Sequence, residues 1–397
     1  MNGVPYWRLS SFYFSYFALL GATAPFLALY FNYLGLSAAR IGELLAIPMF
    51  MRCLAPNLWG WLGDKTGRRL HMVRAGVLLT LLCFAGILWR QDFAGLALIM
   101  ALHAFFWHGV LPQCEVITLA HLREHAARYS HIRLWGSIGF MLTVVGLGAL
   151  LERIPLHLYP WSVLSIMLFM VLCSLWIPEP ASSRSTGAPV RPPPMRALWK
   201  QPGIAVFFAV VACMQFSHGP YYTFISVHLE QLGYERSSVG MLWALGVVAE
   251  IVLFLGMARL LARFSVRTVL GVSLLLAALR WVLLGYFAQH LGILLGAQLL
   301  HAATFGSFHA GCIHFIRQRF LTQQLGQGQT LYATLSGAGG AIGALYAGYT
   351  WNSLGAGVTF SIASAVALLA AFLVFIRLGD SADAEEHTAR APHTTNH

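Results

Sequence analysis

Twelve apolar stretches, each about 20 residues long, fill nearly the whole of this 397-residue chain. That length matches the hydrocarbon core of a bilayer crossed by a helix rising about 1.5 Å per residue. The predicted spans are 7–33, 41–63, 72–89, 95–121, 131–151, 158–177, 203–229, 237–262, 266–287, 291–317, 328–351 and 357–377. Charged residues make up only 10% of the chain and the mean hydropathy is +0.68. A soluble domain carries about 25% charge, so lipid is the solvent this composition demands. The predicted fold class is therefore an all-α membrane protein. The first span is too long and too weakly flanked by base for a cleaved signal peptide, and it is expected to stay as helix 1.

The net charge of +11 does not indicate nucleic acid, because the bases are spread over short loops. Their placement sets an orientation instead. Only Arg40, Arg90, Arg153 and Arg236 fall on one side; Arg52 and Arg280 lie inside spans, and the other Lys and Arg flank the opposite ends. By the positive-inside rule both termini are expected in the cytoplasm. The six Cys lie in apolar spans without CxxC spacing, so they are expected to pack and to bind no metal.

One interruption stands out. Residues 178–202 contain Ser182-Ser183, Arg184 and Arg191-Pro192-Pro193-Pro194, a composition that cannot build a core. It is expected to be a cytoplasmic linker between an N-terminal bundle (1–177) and a C-terminal bundle (203–377), with a disordered tail at 378–397. The two halves repeat each other at an offset of 198. Leu34, Gly35, Gly42 and Leu44 fall on Leu232, Gly233, Gly240 and Leu242, and the same offset sets Arg52 opposite Glu250 and His103 opposite His301. Two pseudo-symmetric six-helix bundles around a midplane site are the expected architecture.

Residues 60–69 read Gly60-Trp61-Leu62-Gly63-Asp64-Lys65-Thr66-Gly67-Arg68-Arg69. This loop resembles the GxxxD(R/K)xGRR signature of the major facilitator superfamily. The resemblance implies that Gly60, Asp64, Lys65, Gly67, Arg68 and Arg69 form a gating loop that ties helix ends on the cytoplasmic side. Asp64 would hold the outward-facing state closed below, and a carboxylate close to helix N-termini would gain dipole stabilisation. The equivalent loop at 256–263 lacks the acid. Arg133-Leu134-Trp135-Gly136, Tyr221-Tyr222, Trp243-Ala244-Leu245-Gly246 with Glu250, and Arg280-Trp281 further resemble the 3-phenylpropionate transporter group, which is similar to lactose-permease and nucleoside-proton symporters. Proton-coupled uptake is what this resemblance implies.

Ionised groups inside spans cost about 2.5–3.5 kcal/mol or more, so each is expected to face a cavity or a partner. Glu250 is the first candidate for carrying a proton, because its apolar neighbours desolvate its carboxyl; the structural alternative is a pair with Arg280. Glu115 is the second candidate, and the alternative there is a pair with Arg52. Arg52 and Arg280 are candidates for holding a substrate carboxylate, since a guanidinium stays charged and offers a planar fork. His218, His301, Tyr221 and Tyr222 complete the predicted substrate-binding set, the imidazoles as donor–acceptors and the rings as stacking faces. Glycines 136, 139, 146 and 148 and glycines 337, 339, 340 and 343 are expected to allow close helix approach where helices 5 and 8, and 2 and 11, cross.

The expected function is secondary transport: proton symport of a small organic solute, foremost an aromatic monocarboxylate. The partners are then a small-molecule substrate, protons and the bilayer of a bacterial inner membrane. The protein is expected to act as a monomer, with the proton gradient as energy source, no cofactor and no enzymatic chemistry. The rival readings are an exporter of hydrophobic compounds and a sugar or nucleoside symporter.

Overall fold

The computed structural model describes residues 4–180, 199 and 203–378, without the side chains of residues 124, 126 and 127. Most of the expected linker and tail thus lies outside the described residues. The described residues are helical nearly throughout. Its helices are α1 (Tyr6–Tyr33), α2 (Ala38–Thr66), α3 (Arg69–Ala85), α4 (Phe93–Leu122), α5 (Tyr129–Arg153) and α6 (Tyr159–Trp176), followed by α7 (Ile204–Ser217), α8 (Gly219–Gln231), α9 (Arg236–Arg263), α10 (Val266–Tyr286), α11 (Leu291–Leu299), α12 (Phe308–Arg319) and α13 (Leu325–Arg377).

Ten of the helical segments are long and apolar enough to cross a membrane. Helix α2 is as long as these at 29 residues, but it carries Pro48, Pro56 and five charged side chains. Helix α13, at 53 residues, bends at Gly355 (φ 81°, ψ 166°), a backbone setting that only glycine takes without strain. Two crossings meet at that bend, which completes the expected twelve. Helices α7 and α8 are two halves of one crossing, joined at His218. A π-turn at Ala302–Ser307 interrupts the tenth crossing between α11 and α12.

Within the first six crossings, α1 packs on α5 and α6, and α3 lies between α4 and α6; within the last six, α13 packs on α7, α8 and α10. The halves meet through α2 against α13 and α5 against α9. These contacts run backbone to backbone at the ends away from the 2–3 loop. A Cβ on Gly240 would lie 2.3 Å from the Val144 carbonyl, and one on Gly42 would lie 2.6 Å from that of Ala344. Five of the predicted glycines behave differently. Gly136 and Gly139 seat α1 (against Phe17 and Phe14), and Gly339 and Gly343 seat α7 and its junction with α8 (against Ala212 and Phe216), each within its own half; Gly146 has nothing within 4 Å among the described residues.

Polar contacts join the halves at the same face. The Arg236 backbone N–H donates to Glu152 Oε2 (2.8 Å) and its Nη1 to the Leu151 carbonyl (3.0 Å). Its guanidinium also pairs with Glu230 at 2.7 Å. Tyr349 donates to Glu43 across α13 and α2. In a nearby loop Asp92 caps α4, accepting from the Gly95 N–H (3.1 Å). The bond from Arg90, and then that cap, hold its carboxyl down to about 2. The stabilisation from this group is complete above the ordinary carboxylate range and disappears as the pH falls through that value.

At the other face the signature loop closes on itself. Asp64 pairs with Arg69, which also donates to Gln113 of α4. Asp64 lies in the last turn of α2, before the left-handed cap Gly67 (φ 66°), and not at a helix N-terminus. The expected dipole gain therefore does not apply along its own helix, where a C-terminal end disfavours an anion. Arg69 supplies the compensating charge.

Arg74 secures α3 to α6. Its guanidinium donates to the carbonyls of Ser174 (3.4 Å), Leu175 (3.3 Å) and Ile177 (2.9 Å) at the C-terminal end of α6, where helix carbonyls run short of intrahelical partners. Arg74→Ala should lower the melting temperature in detergent, equivalent to about 1.5–3 kcal/mol for lost hydrogen bonds to a charged donor. An unchanged melting curve would show that water replaces the contact without cost.

Candidate functional site

The charged centre of the C-terminal half is Arg280 of α10, which is 0% exposed. Each guanidinium nitrogen has a partner. Nε donates to the Ala297 carbonyl (2.8 Å), Nη2 to Gln298 Oε1 (3.1 Å), and Nη1 to Thr304 Oγ1 (3.2 Å) and to His301 Nδ1 (3.2 Å). The ring of Tyr221 lies 4.2 Å beneath the guanidinium. Tyr221 donates its hydroxyl hydrogen to the same Gln298 Oε1 (3.2 Å), whose amide nitrogen donates to the Leu242 carbonyl (3.2 Å). Gln298 thus ties α8, α9, α10 and α11 at one point.

The contact with Arg280 sets the tautomer of His301. A guanidinium only donates, so Nδ1 must accept and the ring hydrogen sits on Nε2. That nitrogen faces Glu250 Oε2 of α9 at 3.8 Å. Glycines make room for both groups. Gly246 packs on the His301 ring, and Gly306 in the π-turn packs on the Glu250 Cγ. The acid and the guanidinium therefore do not pair directly, as the structural alternative has it; an imidazole stands between them.

His218 sits where α7 meets α8. Its Nδ1 donates to the Met214 carbonyl (2.8 Å), which leaves Nε2 as a buried acceptor without a partner. Its ring stacks on Tyr222 with centroids 5.7 Å apart and meets Trp281 edge-on at 4.8 Å. Tyr222 lies within electrostatic range of Arg280, Glu250 and Arg52, and so marks where the halves face each other.

Arg52 of α2 is exposed. It lies within electrostatic range of Tyr16 and His108 from its own half and of Tyr222, His309 and Tyr332 from the other. Among the described residues it has no carboxylate partner. The bonded partner of Glu115 is instead Tyr129, which donates at 2.9 Å. The cation near Glu115 is Arg133 of α5.

Sequence reasoning overlooks Arg133, which reads as one of the loop bases. It is half-buried, its guanidinium lies 3.8 Å over the Phe17 ring, and Nη1 fills the space above Gly136. It is also within electrostatic range of Glu250, so one cation lies in the field of an acid from each half. The signal that could have found it is Gly136, three residues on, where a missing side chain lets the guanidinium lie back along α5. Gln298 is missed as well, although a single amide in the run 291–300 has to find partners in an apolar span.

A twelve-crossing helical protein with ionisable groups gathered between two halves is a membrane transporter. This chain belongs to the MFS_1-like family, which matches residues 6–362. It is 31% identical over 368 residues to the probable 3-phenylpropionic acid transporter of Escherichia coli, covering 91% of this chain and 95% of that one. It is 24% identical over 275 residues to the maltose permease of Geobacillus stearothermophilus, covering 68% of each. Among solved structures the nucleoside transporter NupG superposes with a TM-score of 0.81 at 18% identity, over 94% of this chain and 98% of that one. A point mutant of NupG gives 0.83 at 17%, over 93% and 98%. Relatives and structural neighbours are transporters, not enzymes.

Gln298→Leu should destabilise the fold, because a buried guanidinium loses an acceptor worth about 1.5–3 kcal/mol. Gln298→Glu should recover most of the loss. Thermal unfolding of the purified variants checks both, and a Leu variant as stable as the parent would show that Arg280 does not depend on this contact.

Proposed function

We propose that the protein imports a small organic anion together with protons, and that the anion is an aromatic monocarboxylate such as 3-phenylpropionate. The observation that carries this reading is Arg52, an exposed guanidinium between the halves whose surroundings are rings and not acids. A carboxylate would take the bidentate face of that guanidinium, and a phenyl group would stack among Tyr16, Tyr222 and Tyr332. The identity to the probable 3-phenylpropionic acid transporter supports the same solute class.

Glu250 and Glu115 are the proton-coupling groups in this reading. Glu250 stands beside the His301 Nε2–H, so a proton on the carboxyl changes what faces the imidazole and, through it, Arg280. Arg280 has its donors committed within its own half. It serves the site by holding His301 and Tyr221 in place, with His218 and Tyr222 forming the aromatic wall. The binding energy falls on the transported anion only if the empty site keeps Arg52 unpaired, and that is its condition among the described residues.

The protein works as a monomer in a bacterial inner membrane, with both termini and the signature loop (Gly60, Asp64, Lys65, Gly67, Arg68, Arg69) in the cytoplasm. Bundles 1–177 and 203–377 rock about the midplane, joined by the linker at 178–202. The glycine contacts of α2 with α13 and α5 with α9, with the Arg236 contacts, close the outer face. The proton gradient supplies the energy and no cofactor takes part. Sugar or nucleoside symport is the second reading, favoured by the overlap with NupG and maltose permease; export of hydrophobic compounds would need no Arg52.

Uptake of labelled phenylpropionate into right-side-out vesicles, with and without an imposed inward proton gradient, tests the proposal. Gradient-dependent accumulation is expected. Arg52→Ala should raise KM by about 10- to 150-fold, the loss of a charged hydrogen-bonded contact. No uptake, with accumulation of a nucleoside or sugar in its place, would reject the carboxylate reading.

Glu250→Gln should abolish accumulation against the gradient while exchange of internal for external solute continues. Normal accumulation in that variant would remove Glu250 from the coupling step.

A further inference from the structure

The face that carries the 2–3 loop holds a cavity within the N-terminal half, apart from the residues described between the halves. It has a volume of about 570 Å³ and lies where the start of α1, the end of α4 and the start of α5 converge. Val4, Leu122 and Ile132 supply its apolar wall, and His125, Arg128 and His131 its polar one. Each titratable side chain described on that wall, apart from the phenol of Tyr6, is a base.

Among the described residues, the His125, Arg128 and His131 side chains have no hydrogen-bond or ion-pair partner. Arg128 is exposed and has no carboxylate partner among the described residues. Tyr6, by contrast, is committed. It accepts from Trp135 Nε1 at 3.0 Å and donates to the His131 carbonyl at 3.4 Å. It therefore acts as a fixed wall joining α1 to α5, and the free donors at the cavity are the guanidinium and the two imidazoles.

The surroundings place the cavity at the membrane boundary. Trp7, one residue beyond Tyr6, is 65% exposed and meets Trp135 edge-on with centroids 5.4 Å apart. Leu134 beside it is also exposed. Exposed tryptophans at a helix end sit at the level of lipid headgroups.

We infer that this cavity binds the phosphate of an anionic phospholipid headgroup. The Arg128 fork matches two phosphate oxygens, and the imidazole N–H groups of His125 and His131 supply further donors. Val4, Leu122 and Ile132 would cover the glycerol and the first acyl carbons. Basic pockets among spanning helices on the positively charged face take anionic headgroups by this combination. A free phosphate offers the same oxygens but has nothing to place against the apolar wall, so the lipid is the favoured source. This inference does not depend on which solute the protein carries.

Native mass spectrometry of the full chain, loaded with equal amounts of phosphatidylglycerol and phosphatidylcholine, tests it. The parent protein should retain phosphatidylglycerol in preference. The double variant His125→Ala, Arg128→Ala should lose about fivefold or more of that preference, and Arg128→Lys should keep most of it. The substituted side chains are exposed, and an unchanged melting temperature verifies folding. Arg128→Gln alone provides a second, milder test of the same loss. Equal retention of the two lipids by the parent, or an unchanged preference in the double variant, would overturn the inference. Displacement of phosphatidylglycerol by excess inorganic phosphate, in the parent but not in the double variant, would assign the cavity to free phosphate and overturn the lipid source.

Discussion

A guanidinium enclosed at membrane depth has to be satisfied by the protein itself, because lipid supplies no acceptor. Arg280 meets that demand with a backbone carbonyl and a side-chain amide oxygen in α11 and with two side chains at the π-turn. Much of the C-terminal half is arranged by this requirement. The π-turn at Ala302–Ser307 presents Thr304 beside His301, Gln298 reaches back to α9, and Tyr221 brings α8 under the cation. Removing the charge altogether would relieve the demand. Its retention is explained if His301 must be held with Nδ1 accepting and Nε2–H facing Glu250.

The N-terminal half solves the same problem differently. Arg52 and Arg133 are the cations there, and neither is enclosed as Arg280 is. Arg133 rests on the face of Phe17, a weaker restraint than four hydrogen bonds. Glu115 keeps one bond to Tyr129, itself in edge contact with Tyr13, whose hydroxyl is bonded to Thr118. One half therefore carries a locked charge and the other carries charges with room to respond. That asymmetry is not what the internal repeat alone would lead one to expect. The offset of 198 sets Arg52 against Glu250, so the repeat conserves the depth of the charge and inverts its sign.

The number and type of helices were legible because hydrophobic length is a strong signal, and the charges inside spans were legible because they are costly. The repeat around Gly42 and Gly240 was legible too, and these two glycines do bring the halves together. Side-chain partnerships were not. Glu250 and Arg280 share a site, but the intervening imidazole depends on how a π-turn rotates residues 301–307, which no periodicity records. Arg133 was hidden by its address: a base in the first turns of a span reads as a flanking charge until packing shows which way it lies. Asp64 was misplaced for a related reason. Its loop signature was plain, yet helix α2 runs on through it to Thr66, so the acid belongs to a C-terminal turn.

These placements bear on how opposing halves could respond to one proton. Arg133 stands within electrostatic range of Glu115 in its own half and of Glu250 in the other. In low dielectric such interactions are strong and fall off with distance, so one cation cannot serve two separating acids equally. In the proposed reading, an ionised Glu250 attracts Arg133 across α5 and α9, in addition to the glycine contacts at the end away from the 2–3 loop. In that reading a proton on Glu250 would remove the attraction and leave Glu115 as the remaining acid within range of Arg133 among the described residues. The Arg236 contacts with Glu152 and Leu151 are hydrogen-bonded rather than dispersive, and they lie at the end of the same helix pair away from the 2–3 loop. The α5–α9 seam thus has hydrogen bonds at one end and, in the proposed reading, a charge attraction that a proton on Glu250 would cancel.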